Sequence, residues 1–206
     1  MVLSLVAVGA KVTAAIANGI IGQVNGQGLT QVVPTGVAGT GVSVGPRGKV
    51  TFANTATNID LQGIFSATYD DYLLIFHSRS SVTSITAQLL DNTNTPNAST
   101  NYDAQVLIGT STTAVVAQGL AGTGWGISAT TASIQDMEIR VFSPNLAEET
   151  RALVHSTSTS NPMTTSAAVA ERGLLHRLTV QYTGLRVVLN NTGPVGSVRV
   201  YGYNPN

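Results

Sequence analysis

Alternation with a period of two constrains this chain most. Over Asp136–Val141, Met137, Ile139 and Val141 alternate with Asp136, Glu138 and Arg140, so an extended strand gathers the apolar residues on one face, which a helix cannot do. Leu178, Val180 and Tyr182 repeat the pattern. Beyond Gly48, short β-branched and aromatic segments recur every roughly 8 to 14 residues with turn residues between them, the pattern of a sandwich or small barrel. The spacing predicts about ten strands. Candidate segments are Lys49–Ala53, Asn58–Leu61, Tyr72–Ser78, Ser84–Asp91, Ala104–Ile108, Ala114–Gln118, Gly126–Ala129, Ile134–Phe142, Arg151–Ser156, Leu175–Tyr182, Leu185–Asn190 and Ser197–Tyr203. Thr183-Gly184 sits between two of these and reads as a tight hairpin connection that makes them neighbours. No repeat of 20 to 50 residues suggests a solenoid or propeller.

Composition supports the same class. Charged residues make up 10% of the 206, and more than a quarter of the chain is Ser, Thr or Asn, so the outward faces of the strands are neutral hydroxyls and amides. Ten basic and ten acidic side chains cancel, which leaves no electrostatic footprint for a phosphate backbone or an anionic lipid surface. Nucleic-acid partners are therefore not expected. A neutral surface also removes the charge repulsion that keeps copies apart. Cysteine is absent, which excludes disulfides, thiolate nucleophiles and Cys-ligated zinc. No stretch reaches about 18 uninterrupted apolar residues, so membrane insertion is not expected.

Residues 1–48 read as an N-terminal arm and 49–206 as the β-sandwich domain. Val2–Ala10 is apolar, but no Lys or Arg precedes it and Lys11 follows it, which speaks against a secretory leader. Thr13 can N-cap a short helix that Gly26 stops, and Val12, Ile16, Ile20 and Val24 then share one apolar stripe. Gly19 and Gly22 each cost about 1 kcal/mol in a helix interior. The segment therefore needs something to pack against: its own domain, a second subunit or a larger assembly. Gly26–Gly48 is broken by Gly and Pro throughout, although Val32, Val33, Val42 and Val44 can form short strands within it.

Motifs for chemistry are absent. His77, His155 and His176 lie in different predicted strands, outside any zinc-protease pattern, and Asp70 and Asp71 read as turn carboxylates. Gly45–Thr51 holds Gly48-Lys49, but Ser43 stands where a P-loop needs glycine and Val50 where it needs Ser or Thr. No GxSxG elbow presents a serine. The chain therefore reads as non-enzymatic, with no cofactor and no metal. Two polar segments, Asn92–Asn101 and Ser156–Ser166, read as exposed loops, and Asn92, Asn94 and Asn97 are candidate binding residues in the first. Trp125, flanked by glycines, is a candidate contact, either in the core or between subunits.

Three segments carry a resemblance. Gly63–Ser78, GIFSATYDDYLLIFHS, resembles a pattern of phage structural proteins in which a Tyr-Asp-x-Tyr element leads into an apolar strand. RVYGYNPN from Arg199 is similar to the closing strand of such domains, and VAVGAKVTAAIANGIIGQVN looks like the N-terminal arm of small minor tail and head-surface proteins from phages of actinobacteria. The resemblance implies an all-β, jelly-roll-like antiparallel β-sandwich preceded by a short N-terminal helix and extended arm. It would be displayed in multiple copies on the virion surface, capsid or tail, as a homotrimer. Implied partners are the chain itself, the major capsid protein or tail proteins, and a host-surface glycan.

Overall fold

The computed structural model describes residues 28–82, 85–109, 114–128, 132–159, 167–190 and 194–203. The candidate helix with Val12, Ile16, Ile20 and Val24 lies outside them. Fifteen strands follow in chain order: β1 (Leu29–Val32), β2 (Gly36–Ala38), β3 (Val42–Val44), β4 (Val50–Phe52), β5 (Asn58–Gln62), β6 (Asp71–Val82), β7 (Ile85–Leu90), β8 (Tyr102–Gly109), β9 (Ala114–Gly122), β10 (Trp125–Gly126), β11 (Ala132–Phe142), β12 (Thr150–Thr159), β13 (Ala167–His176), β14 (Gly184–Leu189) and β15 (Val195–Tyr203). The only helical element among the described residues is a 3-10 turn at Pro46–Gly48. None is long and apolar enough to cross a membrane.

The strands form two antiparallel sheets packed as a sandwich. The large sheet has ten strands in the order β3-β4-β15-β6-β11-β12-β13-β8-β9, with β1 also paired to β15; the small one has five, in the order β10-β7-β14-β5-β2. Alternation sets which side chains meet between them. Tyr72, Leu74 and Phe76 of β6, Met137, Ile139 and Val141 of β11, and Ala152 and Val154 of β12 are buried opposite Ile59, Leu61, Leu89, Leu185 and Val187 of the small sheet. Phe52 stacks on Phe76 across the large sheet, centroids 5.4 Å apart. On the outer side of the small sheet, Arg186 donates two hydrogen bonds to Asp60, each 2.6 Å, from the directly paired position.

Several expectations need correcting. Leu175–Tyr182 is not one strand: β13 ends at His176, and the chain then crosses between the sheets. Its backbone bonds go to separate segments, Arg177 N–H to Asn101, Tyr182 N–H to Pro144 and Thr183 N–H to Leu90. Thr183-Gly184 therefore makes no hairpin, because β14 pairs with β5 and β7 in the small sheet, away from β13. Ser156–Thr159 belongs to β12 and to no loop; residues 160–166 lie outside the described residues. Upstream of residue 49, by contrast, Val32, Val42 and Val44 lie in short strands as expected: β1 and β3 belong to the large sheet, and β2 to the small one.

Candidate functional site: the outer face of the large sheet

The outward residues of β6, β11, β12, β13 and β8 stand in rows fixed by register. One row runs Ile75, Glu138, His155, Glu171, Leu107, and the next Leu73, Arg140, Leu153, Gly173, Gln105. A third joins Phe142, Arg151, Leu175 and Asp103. Gly173 lacks a side chain at the centre of this array, and a Cβ added there meets nothing within 4 Å. The result is a shallow hollow of about 800 Å³ over Gly173, walled by Leu107, Leu153, Glu138 and Arg140. It adjoins a second of about 610 Å³ that shares Gln105, Leu153 and Gly173 and reaches Phe142, Leu120 and Leu175.

Apolar exposure is concentrated here. Leu107 is 49% exposed, Leu153 52% and Leu120 65%. Leu107 and Leu153 flank the hollow from either side of β13, and exposed apolar side chains around a hollow mark an interaction surface more strongly than isolated ones do. Charges of both signs are interspersed on this face: Arg79 and Arg199 share the end that holds Asp136, Glu138 and Glu171, and Asp103 lies in the row of Arg151. His77 Nδ1 lies 2.6 Å from Asp136 and His155 Nδ1 3.5 Å from Glu171, all four side chains about half exposed or more. Among the described residues no group of three or more His, Cys, Asp and Glu is placed to hold a metal ion.

The sequence-predicted residues fall elsewhere. Trp125 is fully buried; its indole N–H donates to the Leu175 carbonyl at 3.0 Å, and its ring meets Tyr102 edge-on with centroids 5.4 Å apart. It is a core residue that ties β10 of the small sheet to the large one. His176, also fully buried, lies among Tyr102, Trp125 and Tyr182. Burial, with a smaller contribution from the Arg177 charge, lowers its pKa to about 4. Tyr102 Oη accepts from Leu89 N–H at 2.9 Å and donates to the Asn97 carbonyl at 2.8 Å, linking the sheets to the loop that follows β7.

That loop is built around Asp91, whose Oδ1 accepts from Thr93 N–H, Thr93 Oγ1 and Thr95 N–H. These bonds, with the Thr93 hydroxyl first, lower the Asp91 pKa. Asn97 serves the fold: its Nδ2 donates to Tyr182 Oη at 3.0 Å and its Oδ1 accepts from Ser99 N–H. Asn94 takes a positive φ of 62° at the turn. Asn92 and Asn97 border a polar hollow of about 500 Å³ with Asn145, Gln181 and Thr183, and Asn94 does not. Asn145 and Gln181 were invisible to sequence reasoning, because they come from two other connecting segments. Gly45–Thr51 folds as the 3-10 turn leading into β4, and Asp71 Oδ1 accepts from Ser143 N–H at 3.4 Å.

No protein-family model matches the chain, and no curated protein matches it.

Proposed function

We propose that this chain is a non-enzymatic bacteriophage virion structural protein, an oligomeric accessory surface protein such as a capsid decoration protein. The observation that carries the reading is the outer face of the ten-stranded sheet, which no other described residues cover, with Leu107 and Leu153 half exposed around one hollow and Leu120 beside the adjoining one. The chain as a whole has no net charge, so copies approach without long-range repulsion. A jelly-roll-like arrangement is part of the proposal and is supported by the way β5, β6, β7 and β8 alternate between the two sheets. Major capsid or tail proteins would be its neighbours, and three copies is the order that the resemblance implies.

A second reading, a tail appendage or receptor-binding module for a host-surface glycan, is favoured by the polar hollow at Asn92, Asn97, Asn145 and Gln181. Amides and hydroxyls there, together with the Asp91 carboxylate, suit the hydroxyl groups of a polyol. Analytical ultracentrifugation of the full chain, together with mass spectrometry of gradient-purified particles, tests the main reading. It expects a species heavier than one chain and a stoichiometric presence in particles. A monomer absent from particles would overturn it.

A further inference from the structure

Four of the strands at the sheet edges are short. β1, β2, β3 and β10 have four, three, three and two residues. Pro34 lies between the first two, and Pro46, Arg47 and Lys49 follow the third. Short strands, proline and charge keep a row of unpaired backbone groups from recruiting another strand. β9 has none of these protections. It is nine residues long, it ends the ten-stranded sheet, and among the described residues it pairs with β8 alone. From Ala104 to Gln135 the chain holds neither a charged residue nor a proline. Gln118, Gly119, Leu120 and Ala121 are all exposed, although neighbours along a strand point to opposite faces. The described residues therefore cover neither face of this end of the strand.

We infer that β9 of one chain pairs antiparallel with β9 of a second copy, about a two-fold axis that joins the two large sheets edge to edge. This inference rests on the reading that the chain assembles with copies of itself. A bulge sets where the pairing stops. Between the pairs Tyr102–Gly122 and Ala104–Gly119, two residues of β9 stand against one of β8, and Ala121 takes a positive φ of 54°. The regular ladder is thus Ala114–Gly119, and the backbone groups there that turn away from β8 are the ones left to pair. Three observations select a second copy as the occupant. Every other strand of five residues or more is paired on both sides, so β9 is the one long described strand with a free side to offer. Under a two-fold, each copy presents the same alternating donors and acceptors in opposite directions, so the row is complementary to itself and the contact leaves no edge open. With no ionised side chain on β9, no like charges come to stand opposite each other. Such pairing builds an even-numbered oligomer, two copies in the simplest case, where the resemblance implies three.

Sedimentation equilibrium of the full chain and two double variants tests this contact. Gln118→Lys with Gly119→Lys places an ammonium on each face of the strand; Gln118 is exposed, and a Cβ added at Gly119 meets nothing within 4 Å. Gln118→Thr with Gly119→Ala is the uncharged control, and circular dichroism checks that both keep the fold. The parent is expected at twice the mass of one chain. The lysine pair should weaken self-association at least about tenfold, and the control should leave it unchanged. Hydrogen exchange of the parent gives a readout that needs no variant. The amides of Ala114–Gly119 should exchange more slowly as the concentration rises through the dissociation midpoint, while those of β12, paired on both sides, stay constant. An odd number of copies, an oligomer that the lysine pair leaves intact, or exchange in Ala114–Gly119 that ignores association would overturn this inference alone. A monomer that is nevertheless present in purified particles would also overturn it, and would leave the edge to a strand of another particle protein. A monomer absent from particles would remove the assembly reading with it.

Discussion

His176 shows how one side chain couples the packing of this sandwich to pH. Its ring is enclosed by three aromatic residues, its Nδ1 lies 3.3 Å from Tyr182 Oη, and a backbone hydrogen bond at Leu178 opposes the lowering that burial causes. Burial drops its pKa from the ordinary 6.5 to about 4. Between these values the unfolded chain binds a proton that the folded chain refuses. Stability is therefore fully held above about pH 6.5 and falls as the pH drops towards 4, by about 3 kcal/mol at most. Thermal melts near pH 7.5 and near pH 4.5 should show a smaller acid loss in His176→Gln than in the parent chain. Equal losses would mean that this ring is not the titrating group. Nothing in the sequence marked His176 apart from His77 and His155, because all three sit on alternating strands and only parity relative to the core separates them. Trp125 was legible as a core candidate, but its partners come from residues 102, 175 and 176 and could not be named.

At the scale of the strand, two glycines behave oppositely. Gly196 in β15 faces β6 so closely that an added Cβ would collide with the His77 carbonyl oxygen and the Phe52 ring, whereas Gly173 in β13 opens onto empty space. Gly196→Ala should cost about 2–3 kcal/mol, since backbone cannot step aside as a flexible side chain can. Gly173→Ala should leave stability unchanged or raise it slightly. Chemical denaturation of both variants checks the contrast, and similar costs at the two positions would refute it. The strands themselves were legible where alternation was long: β11 was read to Phe142, its observed end. Leu175–Tyr182 was misread because a segment crossing between sheets can also alternate. Its Leu178 is half-buried, Val180 exposed and Tyr182 buried, yet its backbone bonds go to loops.

For the molecule as a whole, the all-β class followed from composition and turn spacing, which are local properties. The division of strands between sheets did not, because it depends on pairings far apart in sequence, such as β15 with β6 and β14 with β5. Asp60 and Arg186 meet across 126 residues, and neither position announces the other. The outer-face hollow was illegible for the same reason: its floor and walls come from four strands whose neighbours are set by the fold. The proposed assembly rests on that face and on the neutrality of the chain. Its most direct test is cryo-electron microscopy of the assembled particle with this protein present and absent. The account predicts density at the virion surface that disappears from the particles lacking it, at the capsid shell for a decoration protein and at the tail for an appendage. Identical maps in the two preparations would contradict it.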